Sequence, residues 1–218
     1  MEQIDTIYKA VLDGNTREVR VGVEAALKEK ITADEIMQNG PIAAMKEVGR
    51  LFEEGEFFVP EMLISARAMQ SALVLLKPFL AASGAKAAGR VAIGTVQGDL
   101  HDIGKNLVGM MLEGAGFEVI DLGTDVQPEN FVDAVETKHA DIIALSALLT
   151  TTMPKMQETI DALKAASLRD KVKVIIGGAP VTETYAQQIG ADGYGPDASA
   201  ASRLATKLMR AGHAPEAA

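Results

Sequence analysis

The residues with the clearest chemical potential lie in one short stretch, Val91–Asn106, read as VAIGTVQGDLHDIGKN. Asp99 and His101 stand two positions apart in a polar turn. If that turn curls, the carboxylate reaches the imidazole. A carboxylate that accepts an imidazole N–H fixes the tautomer and makes the other ring nitrogen a better metal ligand. The chain holds only 3 His and no Cys. Disulfides, thiolate metal sites, iron–sulfur clusters and a Cys nucleophile are therefore excluded. Nothing near His101 completes an enzymatic metal site, so a lone His ligand suggests a cofactor that supplies the remaining coordination. The same residues also suit a plain capping loop, with Asp102 closing the next helix and His101 facing water.

The stretch must be positioned by a strand before it and a helix after it. Val91–Val96 is an apolar run of strand length, and an apolar-periodic segment opens at Gly104 and continues through Leu107, Val108, Met111 and Leu112. Further strands are predicted at Glu118–Leu122, Ile142–Ser146, Val172–Ile176 and near Asp192–Tyr194. Helices are predicted at about 104–115, 128–137, 152–166, 182–188 and 198–211. Such alternation predicts a flavodoxin-like, doubly wound, five-stranded parallel sheet over residues 89–218. With strand order 2-1-3-4-5, a ligand sits where the order reverses. The loops beginning at Gln97, Ser146 and Gly177 then share one rim. The tail after Gly212 is expected to fray.

Residues 1–88 read differently. Ile4, Ile7, Val11 and then Val19, Val23, Ala26 recur at helical spacing. Thr32–Glu35 has the form of a capping box, Gly40-Pro41 is expected to interrupt the helix it opens, and Pro60 suits a helix start. Short connections predict an all-α, four-helix bundle. Ala81–Gly89, small and glycine-bearing, reads as a linker.

Composition narrows the function. The net charge is −9 and no basic run occurs, so nucleic acid is not an expected partner. No apolar run of the length of a membrane span and no signal segment is visible, so no membrane partner and a cytoplasmic location are expected. The 10 Met are first of all core fillers. The first loop reads GDLHDIG where a dinucleotide fold has G-x-G-x-x-G, and there is no P-loop or G-x-S-x-G element.

Asp99-x-His101-x-x-Gly104, then Ser146-x-Leu148, then Gly177-Gly178 matches the cobalamin-binding signature D-x-H-x-x-G, S-x-L, G-G in order and on the predicted loops. The chain resembles the cobalamin-binding module of methionine synthase. Over nearly its whole length it is similar to the stand-alone corrinoid proteins of methyltransferase systems, which serve methanol, methylamines, quaternary amines or aromatic methyl ethers. The helical half, with Gly55–Pro60 and Ser65–Met69, looks like the four-helix cap over the reactive face of the corrin in those proteins.

The resemblance implies a cobalamin or related corrinoid, carried as methylcobalamin or cob(I)alamin. His101 replaces the cofactor's own base below the cobalt. Asp99 holds the His ring, and a hydroxyl from Thr150, Thr151 or Thr152 completes a relay, with Thr152 in the aligned place. Gly98, Leu100, Asp102, Ile103 and Ala179 belong to the same loops. Gly104, Ser146, Leu148, Thr150, Gly177 and Gly178 would line the site and the slot for the nucleotide tail, and Tyr194 and Ala198 would touch its far end. Phe58 and Met62 would meet the upper face, although bundle core is the commoner fate of such residues. The protein would be a carrier more than an enzyme. Its partners would be a substrate-specific methyltransferase, a second methyltransferase acting on folate or a thiol, and a reductive activase. A mutase subunit or a cobalamin-based sensor shares the module. The first would lack this cap, and the second would add a basic DNA-binding domain that this acidic chain has no room for.

Overall fold

The computed structural model describes residues 2–84 and 86–212 and divides the chain into two compact units. The first takes in the chain up to Ala87 together with Glu113–Gly116. The second comprises Ala88–Leu112 and continues from Phe117. The tail beyond Gly212 lies outside the described residues.

The first unit contains α1 (Glu2–Leu12), α2 (Thr16–Lys28), α3 (Ala33–Met37), α4 (Ala43–Glu53) and α5 (Val59–Ser83). Asn15 caps α2: its side chain accepts the Glu18 N–H at 3.1 Å. Thr32 accepts the Glu35 N–H at 3.2 Å, as the capping-box pattern requires. Gly40-Pro41 does not interrupt the third helix. The chain passes from α3 to α4 through one wider turn of π-helix, Gln38–Ile42. Pro41 lacks the N–H that an α-turn would use, and the wider turn absorbs the lost bond. Gly40 lies so close to α1 that a Cβ there would come within 3.1 Å of Ile7.

Helix α5 extends through Ser83, and Gly84 closes it at φ +69°. The interdomain segment is therefore shorter than Ala81–Gly89, because an Ala pair prolongs a helix readily. At 25 residues, α5 is long and apolar enough to cross a membrane, which the sequence reading did not anticipate. It packs against α2, α3 and α4 and buries Met62, Met69 and Leu76 among others, as the core helix of a bundle does.

The second unit is a parallel sheet of order β2-β1-β3-β4-β5, with β1 (Arg90–Thr95), β2 (Glu118–Asp121), β3 (Ile142–Ser146), β4 (Lys173–Gly177) and β5 (Gly193–Gly195). Its helices are α6 (Ile103–Gly114), α7 (Pro128–Glu136), α8 (Pro154–Ala165), α9 (Glu183–Ile189) and α10 (Ala198–Gly212). Phe131, Ile143, Met156, Ile160 and Val174 are wholly buried in its core. Each such side chain contributes about 1.5–3 kcal/mol. The register sets Thr95, Ser146, Gly177 and Gly195 in one row at the carboxyl ends of four strands. The loops that follow leave the sheet at one level, and the order reverses between β1 and β3.

Candidate cofactor-binding site

Asp99 is the hub of that rim. It is fully buried and would be costly there without partners. Its Oδ2 accepts the N–H of Leu148 at 2.8 Å and of Leu149 at 3.3 Å, and the Thr152 hydroxyl at 2.7 Å. Its Oδ1 accepts the His101 N–H at 3.1 Å and lies 2.7 Å from His101 Nδ1. Burial alone would raise the carboxyl's pKa. The bonds from His101, Leu148 and Thr152 outweigh it and hold the group well below the usual carboxylate range. An ionised carboxylate only accepts, so Nδ1 carries a proton and Nε2 is left with its lone pair. The His101 side chain is half exposed.

Of the three candidate threonines, Thr152 is the one whose hydroxyl reaches Asp99. The same hydroxyl lies 2.9 Å from the Leu149 carbonyl, but it has one proton, and the closer, charged acceptor takes it. Thr150 and Thr151 are exposed. Thr152→Val keeps the shape and removes this bond. It is expected to lower unfolding stability by about 1–2 kcal/mol, read by urea denaturation, whereas Thr152→Ser should stay near wild type.

The loops that meet at Asp99 expose large apolar side chains: Leu100 at 74%, Ile103 at 78%, and Leu148 and Leu149 at 42% each. Aliphatic residues this open, on two loops joined through one acid, mark a surface that something apolar covers. Gly98 adopts φ +80°, Asp102 accepts a bond from the Asn106 side chain at 3.2 Å, and Ala179 is exposed.

Glycines on the rim have different reasons to be glycine. Gly178 sits at φ +131°, where a Cβ would fall 1.9 Å from the Ala147 carbonyl oxygen, and a Cβ on Gly177 would fall 2.9 Å from that of Gly195. Both are required by the chain itself. A Cβ on Gly104, in the first turn of α6, would meet nothing within 4 Å. Ser146 and Tyr194 are half-buried, and Ala198 is buried. Phe58 is exposed at 63%, while Met62 is buried. Met62 thus has no free surface to offer a ligand.

Sequence reasoning missed three contributors. Leu149 gives Asp99 a second N–H from the same loop. Thr95, fully buried, donates its hydroxyl to the His101 carbonyl at 2.8 Å; a polar residue closing an apolar strand was the available signal. Asp125, far along the chain, accepts the Gly98 N–H at 2.7 Å, and no local pattern announces it.

Comparison with known proteins decides the family. Models of a B12 binding domain match residues 89–203 and residues 3–77. The chain belongs to the corrinoid proteins of methyltransferase systems. It is 42% identical to a corrinoid protein of Desulfitobacterium hafniense, over 96% of this chain and 98% of that one. It is 43% identical to dimethylamine corrinoid protein 1 of Methanosarcina acetivorans, over 95% and 98%. Among solved structures, the methanol:cobalamin methyltransferase complex MtaBC from Methanosarcina barkeri matches at TM-score 0.85 and 32% identity, covering 96% of this chain and 80% of that one. A cobalamin-binding protein from Desulfitobacterium hafniense matches at TM-score 0.78 and 34% identity, over 94% and 97%.

The donor set of this corrinoid protein fits such a group. Among the described residues, no cluster of three or more His, Asp or Glu could hold a bare ion. A single half-exposed imidazole beside exposed aliphatics, with Nδ1 tied to Asp99, suits a metal whose other ligands come from a macrocycle. Gly104 is exposed, with no protein atom within 4 Å of where a Cβ would lie, and so leaves room for a bulky substituent of the cofactor.

Proposed function

We propose that this corrinoid protein holds cobalt from below through His101 Nε2, with the cofactor's own base off the metal, and carries a methyl group between two methyltransferases. The reading rests above all on one observation: a buried carboxylate with five donors fixes Nδ1–H at 2.7 Å, while the His101 side chain stays half exposed and Nε2 is not tied to that acid. The bound cobalt supplies a centre that can take up and release a methyl group. The chain's own part is to aim the ring, to keep it in one tautomer and to balance its charge. When Nε2 is not engaged it can hold a proton, and the Asp99 carboxylate, itself tied to Thr152, compensates the positive ring. Ligation and proton release at that atom are thereby linked reciprocally.

Relatives named for dimethylamine and methanol support a substrate-specific methyltransferase for methylated amines or methanol as the donor partner. A methyltransferase acting on a folate or a thiol would take the methyl onward, and a reductive activase would rescue oxidised cobalt. Tyr194 and the Gly104 side of the rim would receive the nucleotide tail.

Anaerobic reconstitution with hydroxocobalamin, followed by reduction to Co(II), tests the reading. The wild type is expected to retain stoichiometric cobalt and to show nitrogen hyperfine structure from a protein imidazole in its electron paramagnetic resonance spectrum. His101→Ala should lose that structure and bind at least about tenfold more weakly. An unchanged axial nitrogen signal in His101→Ala rejects the ligand role, and a wild type that takes up no corrinoid rejects the carrier role.

A further inference from the structure

The segment 121–126, from the last residue of β2 toward α7, touches the His101 loop on both sides. Before His101, Asp125 Oδ1 accepts the Gly98 N–H at 2.7 Å, and the Asp125 N–H donates to the Asp99 carbonyl at 3.0 Å. After His101, both carboxylate oxygens of Asp121 lie 2.6 Å from Lys105 Nζ in the first turn of α6. The Lys105 side chain is only 3% exposed, so its ammonium depends on this partner and on Asn106 Oδ1 at 2.7 Å. Asp121 Oδ1 also accepts the Gly123 N–H at 2.8 Å. The Gly123 carbonyl takes the Thr95 N–H at 3.0 Å, and the Thr95 hydroxyl holds the His101 carbonyl. Asp125 adopts φ +55°, a conformation that Asp, Asn and Gly tolerate and most side chains resist.

Residues 100–104 are exposed and are not held by burial of their own. We propose that Asp121 and Asp125 are positioning residues for His101, gripping its loop through Lys105 and Gly98 so that the imidazole is aimed before a cofactor arrives. The proposal rests on His101 as the cobalt ligand. Preorganisation of this kind raises affinity by removing the ordering cost from the binding step.

The test combines Asp125→Gly, which removes the acceptor but keeps the backbone conformation, with Lys105→Met, which leaves only the half-exposed Asp121 charge behind. Asp125→Gly alone serves if the double variant does not fold, and Asp125→Asn is the conservative control. In the apoprotein, amide hydrogen exchange is read at His101 and Leu148, whose donors bond Asp99 and are untouched by the substitutions. Exchange there is expected to rise about tenfold. In the Co(II)-corrinoid form, the equilibrium for protein nitrogen on cobalt is expected to fall about tenfold while cobalt content is kept. Asp125→Asn should behave as wild type in both. Unchanged exchange, unchanged ligation, or failure of Asp125→Asn to rescue each overturns the proposal. A wild type without protein nitrogen on cobalt would instead defeat the axial-ligand reading and, with it, the cobalt consequence. The exchange data alone would then decide whether the two acids hold the loop.

Discussion

Gly104→Leu is expected to fold as well as the wild type and to lose corrinoid binding by two orders of magnitude or more. The two effects separate because nothing in the chain needs glycine at this position. The backbone is that of an ordinary helical first turn, and a Cβ would find no atom within 4 Å. Removing a helical glycine gains up to about 1 kcal/mol, or roughly 2–4 °C in Tm for a chain of this size. On the proposed reading the same side chain would occupy space that the cofactor enters, and a packed contact does not yield to several extra carbons. Thermal melting of the apoprotein and equilibrium dialysis with cobalamin measure the two effects. Undiminished binding would show that Gly104 borders no cofactor, and a large loss of apoprotein stability would show that the space is not free.

Asp99→Ala is expected to be the most damaging single change. It removes the acceptor for the N–H groups of His101, Leu148 and Leu149 and for the Thr152 hydroxyl. Each buried donor left unsatisfied costs about 1–3 kcal/mol, so a loss of about 3–5 kcal/mol is expected in urea unfolding of the apoprotein. Asp99→Asn keeps the volume but turns donor against donor on one edge, and should lie between Ala and wild type. The pH dependence follows from the depressed carboxyl. Its folded-state pKa is below its unfolded value, so its stabilisation is fully present above about pH 4. That stabilisation is lost as pH falls through the folded value. Wild-type stability should therefore decline in acid below about pH 4, and Asp99→Asn should lack this part of the decline. Identical acid profiles would mean that the buried carboxylate contributes nothing to the difference.

Much of the site was legible because its chemistry is local in sequence. Asp99 and His101 are two residues apart, and the strand before them and helix after them follow from apolar periodicity. The parallel sheet followed from alternation of short apolar runs with helical segments, since a parallel crossover needs a helix between strands. Alternation does not fix the strand order, which entered as a condition and is the order the structure has. What escaped depends on distance. Asp125 reaches Gly98 only because β2 lies beside β1. The choice among Thr150, Thr151 and Thr152 is a matter of which residue the turn after β3 points inward, which spacing does not decide. Met62 and Phe58 share the same apolar character, and only packing separates the buried one from the exposed one. The continuous helix through Gly40-Pro41 escaped for another reason: both residues are breakers in α geometry, and a wider turn tolerates them when α1 packs against it.

If His101 holds the cobalt as proposed, the multiple duties of Asp99 have a practical corollary for anyone wishing to tune the reactivity of the bound metal. Its charge steers the imidazole, but it also staples the segment after β3 in place, so a variant there alters electronics and architecture together and its spectra would be uninterpretable alone. Thr152 is the cleaner dial: it polarises the same carboxylate from the far edge, and a Thr-to-Ser-to-Val series grades that influence while leaving the backbone anchors in place.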